Sequence, residues 1–76
     1  MKTVTIKEYA KGGLFPVDCI LHWATDKYEW RERVTIRNLV NYNGSHVARV
    51  FDTEGNMSKV KLDLNIQLIS GGKWIN

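Results

Sequence analysis

The dipeptide Asn43-Gly44, set between two β-prone runs at residues 34–42 and 46–51, constrains this chain more than any other feature. Asn and Gly tolerate positive φ, which both central positions of a type I′ turn require, and the twist of that turn suits a two-residue hairpin. With Asn43 and Gly44 as the turn, Tyr42 faces Ser45, Val40 faces Val47, Asn38 faces Arg49 and Ile36 faces Phe51. That register predicts a core stripe of Ile36, Val40, Val47 and Phe51, with Leu39, Ala48, Arg37 and Val50 on the other face. The second face is only partly polar, so it is expected to be covered in part by the chain or by a partner.

Alternation continues on both sides of the hairpin. Val17, Cys19, Leu21 and Trp23 recur with period two, and Asp18, Ile20 and His22 fall on the opposite face, as in a half-buried strand. Downstream, Val60, Leu62, Leu64, Ile66 and Leu68 alternate with Lys61, Asp63, Asn65 and Gln67. Such a run cannot be amphipathic as a helix, and it predicts a strand, with a break near Asp63. Between the hairpin and this run, residues 52–56 read as a turn, with Gly55 suited to the left-handed position.

Three segments leave alternatives open. Residues 2–11 read as a strand through Val4 and Ile6, or as a helix whose Thr5 and Glu8 form a capping box and whose Ile6, Tyr9 and Ala10 share a face. Gly12-Gly13 ends either element, and Phe15-Pro16 restarts the chain in an extended conformation. Residues 25–32 read as one or two helical turns, with Asp26 and Glu29 at capping-box spacing, or as a long polar loop carrying Tyr28 and Trp30. Beyond Gly71-Gly72, Trp74 and Ile75 are expected to dock back on the core.

At 76 residues the chain has room for one small domain, residues 1–76, with a thin core. The expected fold is mainly β, with α+β as the alternative. It is a small curved antiparallel sheet or open barrel of roughly four or five strands, with at most one or two short helices. In hydrophobic pattern, residues 60–69 resemble the end of an SH3-like or Tudor-like barrel, in which a strand, a tight turn and a short last strand follow an acidic-Gly turn. The resemblance is one of pattern and assigns no family. A single Cys cannot form an internal disulfide, and no signal peptide or bilayer-length apolar run is visible. The expected setting is therefore reducing and cytoplasmic, with no membrane partner.

Charge is localised. The net charge is +3, and Lys2, Lys7 and Lys11 are balanced by Glu8, Asp18 and Asp26, as Lys59, Lys61 and Lys73 are by Asp52, Glu54 and Asp63. The excess lies between residues 27 and 49, where Lys27, Arg31, Arg33, Arg37 and Arg49 meet only Glu29 and Glu32. In an extended segment Arg31, Arg33 and Arg37 share parity with Thr35 and project from one face about 6.6 Å apart.

Chemistry-bearing clusters are sparse. Cys19 and His22 are three apart and on a strand point to opposite faces, and His46 is remote, so neither a metal site nor a Cys–His nucleophile is expected. There is no phosphate-binding Gly loop and no nucleophile elbow. No cofactor and no enzymatic activity are expected. The expected function is stoichiometric association with a protein partner, as an adaptor or inhibitor of the kind short bacterial and viral reading frames encode, self-association included. Three Trp and three Tyr in a small chain are types enriched at interface hot spots, and Leu39, Val50, Trp30 and Trp74 are the candidate apolar patch. The alternative is a nucleic-acid-binding module in which arginines hold phosphates while rings stack on bases. The candidate binding residues are Arg31, Arg33, Arg37, Arg49, Tyr28, Trp30 and Tyr42.

Overall fold

The computed structural model describes residues 3–69. The elements run in the order β1 (Thr3–Thr5), α1 (Ile6–Ala10), β2 (Val17–Ala24), β3 (Glu29–Tyr42), β4 (Ser45–Phe51), β5 (Met57–Lys61) and β6 (Asn65–Leu68). The six strands form one antiparallel sheet in the order β1-β6-β2-β3-β4-β5, one strand more than the upper end of the expectation. Among the described residues α1 is the only helix, and no helix is long and apolar enough to cross a membrane. The candidate docking of Trp74 and Ile75 lies outside the described residues.

The connections force the sheet to curl. Only Leu62, Asp63 and Leu64 join β5 to β6, a link that reaches at most ~14 Å. In a flat sheet of this order the two strands would stand about 19 Å apart. The sheet does not close, because no ladder joins its edge strands β1 and β5. Instead, the backbone amides of Ile6 and Lys7 donate to the carbonyls of Leu64 and Leu62 at 3.0 and 2.9 Å. The opening amides of α1, which lack partners within any helix, thus hold the seam.

Both readings of the N-terminal segment are realised in succession. Val4 pairs with Ile66 in a short strand. Thr5 then caps the helix, its hydroxyl accepting from the Glu8 amide at 3.1 Å. The helix delivers Ile6 and Tyr9, both 0% exposed, into the curl of the sheet. The Tyr9 hydroxyl donates to the Leu14 carbonyl at 2.6 Å, and its ring meets Phe15 edge-on at 5.4 Å. Gly13 lies directly against that ring. The Phe15-Pro16 bond that follows is cis.

The hairpin has the expected turn, with φ of 52° at Asn43 and 82° at Gly44. Tyr42–Ser45, Val40–Val47 and Asn38–Arg49 pair as expected, but Ile36 faces Val50 instead of Phe51. The register shifts between Ile36 and Asn38, where Arg37 is an extra residue. Such a bulge transfers everything beyond it to the opposite face. The core stripe is therefore Val34, Ile36, Ala48 and Val50, all buried. Val40, Val47 and Phe51 are only half-buried and face outward, which corrects the stripe read from alternation alone.

Residues 25–32 form neither a helix nor a long loop. Thr25 closes a tight connection by donating its amide to the Tyr28 carbonyl at 2.8 Å and accepting the Tyr28 amide on its hydroxyl at 3.0 Å. Residues 29–32 already belong to β3 and pair with β2. Capping by Thr25 outcompetes the Asp26–Glu29 spacing because β2 offers β3 a full ladder. The alternating run from Val60 breaks as expected, but its halves occupy distant places in the sheet. In the turn before it, the Asp52 carboxylate accepts from the Glu54 and Asn56 amides, both at 2.9 Å, and Gly55 takes φ of 88°. These bonds, that of the Asn56 amide foremost, hold the Asp52 carboxyl below its ordinary value.

Candidate functional site

The cross-strand registers assign the outer face residue by residue, because partners in a ladder point the same way. Arg31 pairs with His22, Arg33 with Ile20 and Thr35 with Asp18. Across the hairpin, Thr35 pairs with Phe51 and Asn38 with Arg49, and Arg49 in turn faces Lys59 on β5. Val47 faces Lys61. Arg31 and Arg33 thus share the outer face by register, and Arg37, the bulged residue without a ladder partner, joins it through its contact with Phe51. With Arg49, Lys59 and Lys61 they make a patch of six cations. Sequence parity within β3 showed the arginine row. The lysines became visible only with the β4–β5 register, although the turn at Asp52–Asn56 carried enough information to place Lys59 near Arg49.

Among the described residues no cation of this face is in an ion pair, while the carboxylates of Asp18 and Asp52 line the same hollow as Arg33. Among the described residues the one ion pair is Lys11–Glu8 at 3.3 Å, far from the patch in sequence and on α1. Glu32 accepts from the Trp23 indole Nε1 at 2.8 Å. Asp18, which shares the outer face, accepts the Thr35 hydroxyl at 2.6 Å. Arg49 directly opposite Lys59 is a like-charge pair, which on its own destabilises a sheet.

Aromatic rings take the place of carboxylates. The guanidiniums of Arg37 and Arg49 lie over the Phe51 ring at 5.8 and 5.7 Å from its centroid. The Lys59 ammonium lies 5.2 Å from the Tyr42 ring centroid. A cation over a ring face is attracted by the ring quadrupole while the head group keeps its full charge for a partner. Two shallow hollows adjoin at Thr35 and Phe51. One, about 250 Å³, includes Arg33, and the other, about 560 Å³, includes Arg37.

Other candidates fall elsewhere. Trp30 has the parity of Glu32 and Val34, away from the arginines, and stacks on Trp23 at 5.6 Å and 13°. That partner follows from the hairpin symmetry about residues 25–28, which the sequence did not reveal. Tyr28, 69% exposed, lies in the turn, and Tyr42 lies at the far end of β3 from Trp30. The structure therefore does not gather Tyr28, Trp30 and Tyr42 into one cluster. The candidate apolar patch loses Val50, while Trp30 stays exposed. Val50 is 2% exposed and Leu39 packs against the core, both on the inner face, while Trp74 lies outside the described residues.

Cys19 is fully buried, opposite Val34, and its thiol is pushed up to about 12, by burial first and by the charge of Asp18 second. His22 points the other way, within 3.4 Å of Gln67 Oε1. Native protein at pH 8 is expected to leave Cys19 unreacted toward a thiol-specific disulfide reagent, and denaturant should release one thiol per chain. In the unfolded chain the thiol ionises near 8.5, so unfolded molecules hold fewer protons than folded ones between there and about 12. Stability is therefore complete below the lower value and is lost as pH rises through that window. Rapid labelling of native protein at pH 8 would contradict the placement of Cys19.

Comparison with known proteins assigns no family: no family model matches the chain, no curated protein matches its sequence and no solved structure matches its fold.

Proposed function

We propose that this protein is a non-catalytic binding module whose outer sheet face holds a single-stranded nucleic acid. The observation that carries the reading is the patch of six cations, none in an ion pair among the described residues, with Arg37 and Arg49 over Phe51 and Lys59 beside Tyr42. A strand lying along β3 brings its phosphates to Arg31, Arg33 and Arg37, and the hollows on either side of Thr35 and Phe51 receive sugars and bases. Val50 is buried and Leu39 partly buried on the inner face, which weakens the apolar protein-docking face and favours an anionic partner.

The test is fluorescence anisotropy of a short labelled single strand of mixed sequence across a salt series. Six phosphate contacts predict log K falling linearly with log salt at a slope of about −4. Absence of binding at low salt overturns the reading.

A second reading is stoichiometric association with a protein that presents an acidic surface. The guanidiniums over Phe51 favour it, since Arg beside an aromatic ring is a common interface anchor. A tight one-to-one complex with a shallow salt dependence, together with no affinity for single strands, would select it.

A further inference from the structure

A cleft lies where the β2–β3 hairpin approaches the β5–β6 connection. We infer that it is a stacking subsite for one nucleobase of the bound strand, with preference for bases that carry an exocyclic amino group. This rests on the proposed function and names what one end of that site reads.

The cleft is about 790 Å³, within the range of small-molecule sites. Trp30 and Trp23 form its aromatic wall. The two indoles are nearly parallel, and Trp23 is pinned by its hydrogen bond to Glu32. Trp30 is therefore backed by a fixed ring while 45% of its surface stays exposed. A large apolar ring held open in this way is ready to stack, and the ordering cost is already met by the fold. Base–aromatic stacking tolerates any base, so selectivity must come from the edge of the cleft. There Asp63 and Asn65 stand on the wall contributed by β6 and the turn before it. A carboxylate only accepts hydrogen bonds, so it favours the amino groups of cytosine, adenine and guanine over the carbonyls of uracil and thymine. Asn65 both donates and accepts, and suits the neighbouring ring nitrogen or carbonyl.

The cleft is continuous with the basic patch. Arg31 and Lys61 belong to the outer face and also line the cleft, so the phosphate of a base stacked on Trp30 meets the first cations of the row. Trp30 has the inner parity, so a strand leaving the cleft passes to the outer face at Arg31, and from Arg31 to Arg37 the track along β3 is about 20 Å long, enough for a run of several nucleotides.

The test compares binding of homopolymeric cytidine, adenosine and uridine single strands to wild type, Trp30→Leu, Trp30→Tyr and Asp63→Asn. Wild type is expected to bind the cytidine and adenosine strands more tightly than the uridine strand. Trp30→Leu should lose about tenfold in affinity for all three with an unchanged salt slope, because no charge is altered. Trp30→Tyr, which keeps an aromatic face, should recover most of that loss and so separates stacking from a folding defect. Asp63→Asn should narrow the difference between cytidine and uridine strands. Should Trp30→Leu bind as wild type does, the subsite is wrong while the basic-face reading stands. Equal affinity of wild type for all three strands removes the base preference. Failure of every strand to bind at low salt removes the proposed function together with the subsite.

Discussion

An alanine at Gly13 is expected to destabilise this domain by about 3 kcal/mol. A Cβ built there falls within 2.5 Å of three carbons of the Tyr9 ring, Cδ2, Cε2 and Cζ, where carbon atoms prefer about 3.5–4.0 Å. The ring has nowhere to go. It is 0% exposed, its hydroxyl is tied to Leu14, and its edge rests on Phe15. The backbone of residue 13 is equally constrained, because its amide donates to the Tyr9 carbonyl at 2.6 Å. The cost is large against the roughly 4–11 kcal/mol that a chain of this size commands, and it should lower the melting temperature by roughly 10–20 °C. Calorimetry or thermal denaturation followed by circular dichroism reads it directly. A double-mutant cycle identifies the cause: in a Tyr9→Leu background, the added methyl should cost less than about 1 kcal/mol. A Gly13→Ala variant that melts with the wild type would show that the helix and the glycine do not pack in this way.

Replacing Arg33, Arg37 and Arg49 together with Gln is expected to weaken single-strand binding about 100-fold at 0.1 M salt and to flatten the log–log salt dependence by about 2. The three residues form the middle of the outer patch, and none is in an ion pair among the described residues. Gln keeps much of the aliphatic length and a donor, so the change is chiefly one of charge. The fold should survive, since the three side chains lie on the outer face and two of them contribute only ring contacts to Phe51. A lone Arg49→Gln change should even relieve the like-charge pairing with Lys59. A melting temperature near that of wild type, combined with the loss of affinity, is the expected pair of results. Equal affinity for wild type and triple variant, with equal salt slopes, would remove the patch from any account of binding.

Much of the architecture follows from local pattern, and the departures have specific causes. The strand at Val17–Ala24, the Asn43-Gly44 turn and three of the four expected cross-strand pairs of the hairpin were readable because each depends on neighbours in sequence. The choice of core face was not, since one bulged residue at Arg37 reverses parity for all that precedes it. Nothing in the residues 34–38 marks that bulge, which brings Val34, Ile36, Ala48 and Val50 together on the buried face. Likewise, both identities of residues 3–10 were present in the sequence, and only the partner strand β6 decides where the strand stops and the helix begins. For the candidate site, the arginine row was legible as parity. The lysines and the Trp23–Trp30 stack were not, because they depend on pairing between strands.

The placement of β6 between β1 and β2 has a consequence for biosynthesis. The hairpins from Val17 to Lys61 can zip up in the order in which the ribosome delivers them. The opening segment cannot, because its strand and the first amides of its helix bind only residues 62–67. Residues 3–10 must therefore wait, oily side chains of Ile6 and Tyr9 uncovered, until residues 62–67 emerge. During that interval the nascent chain shows an apolar surface that the finished molecule hides.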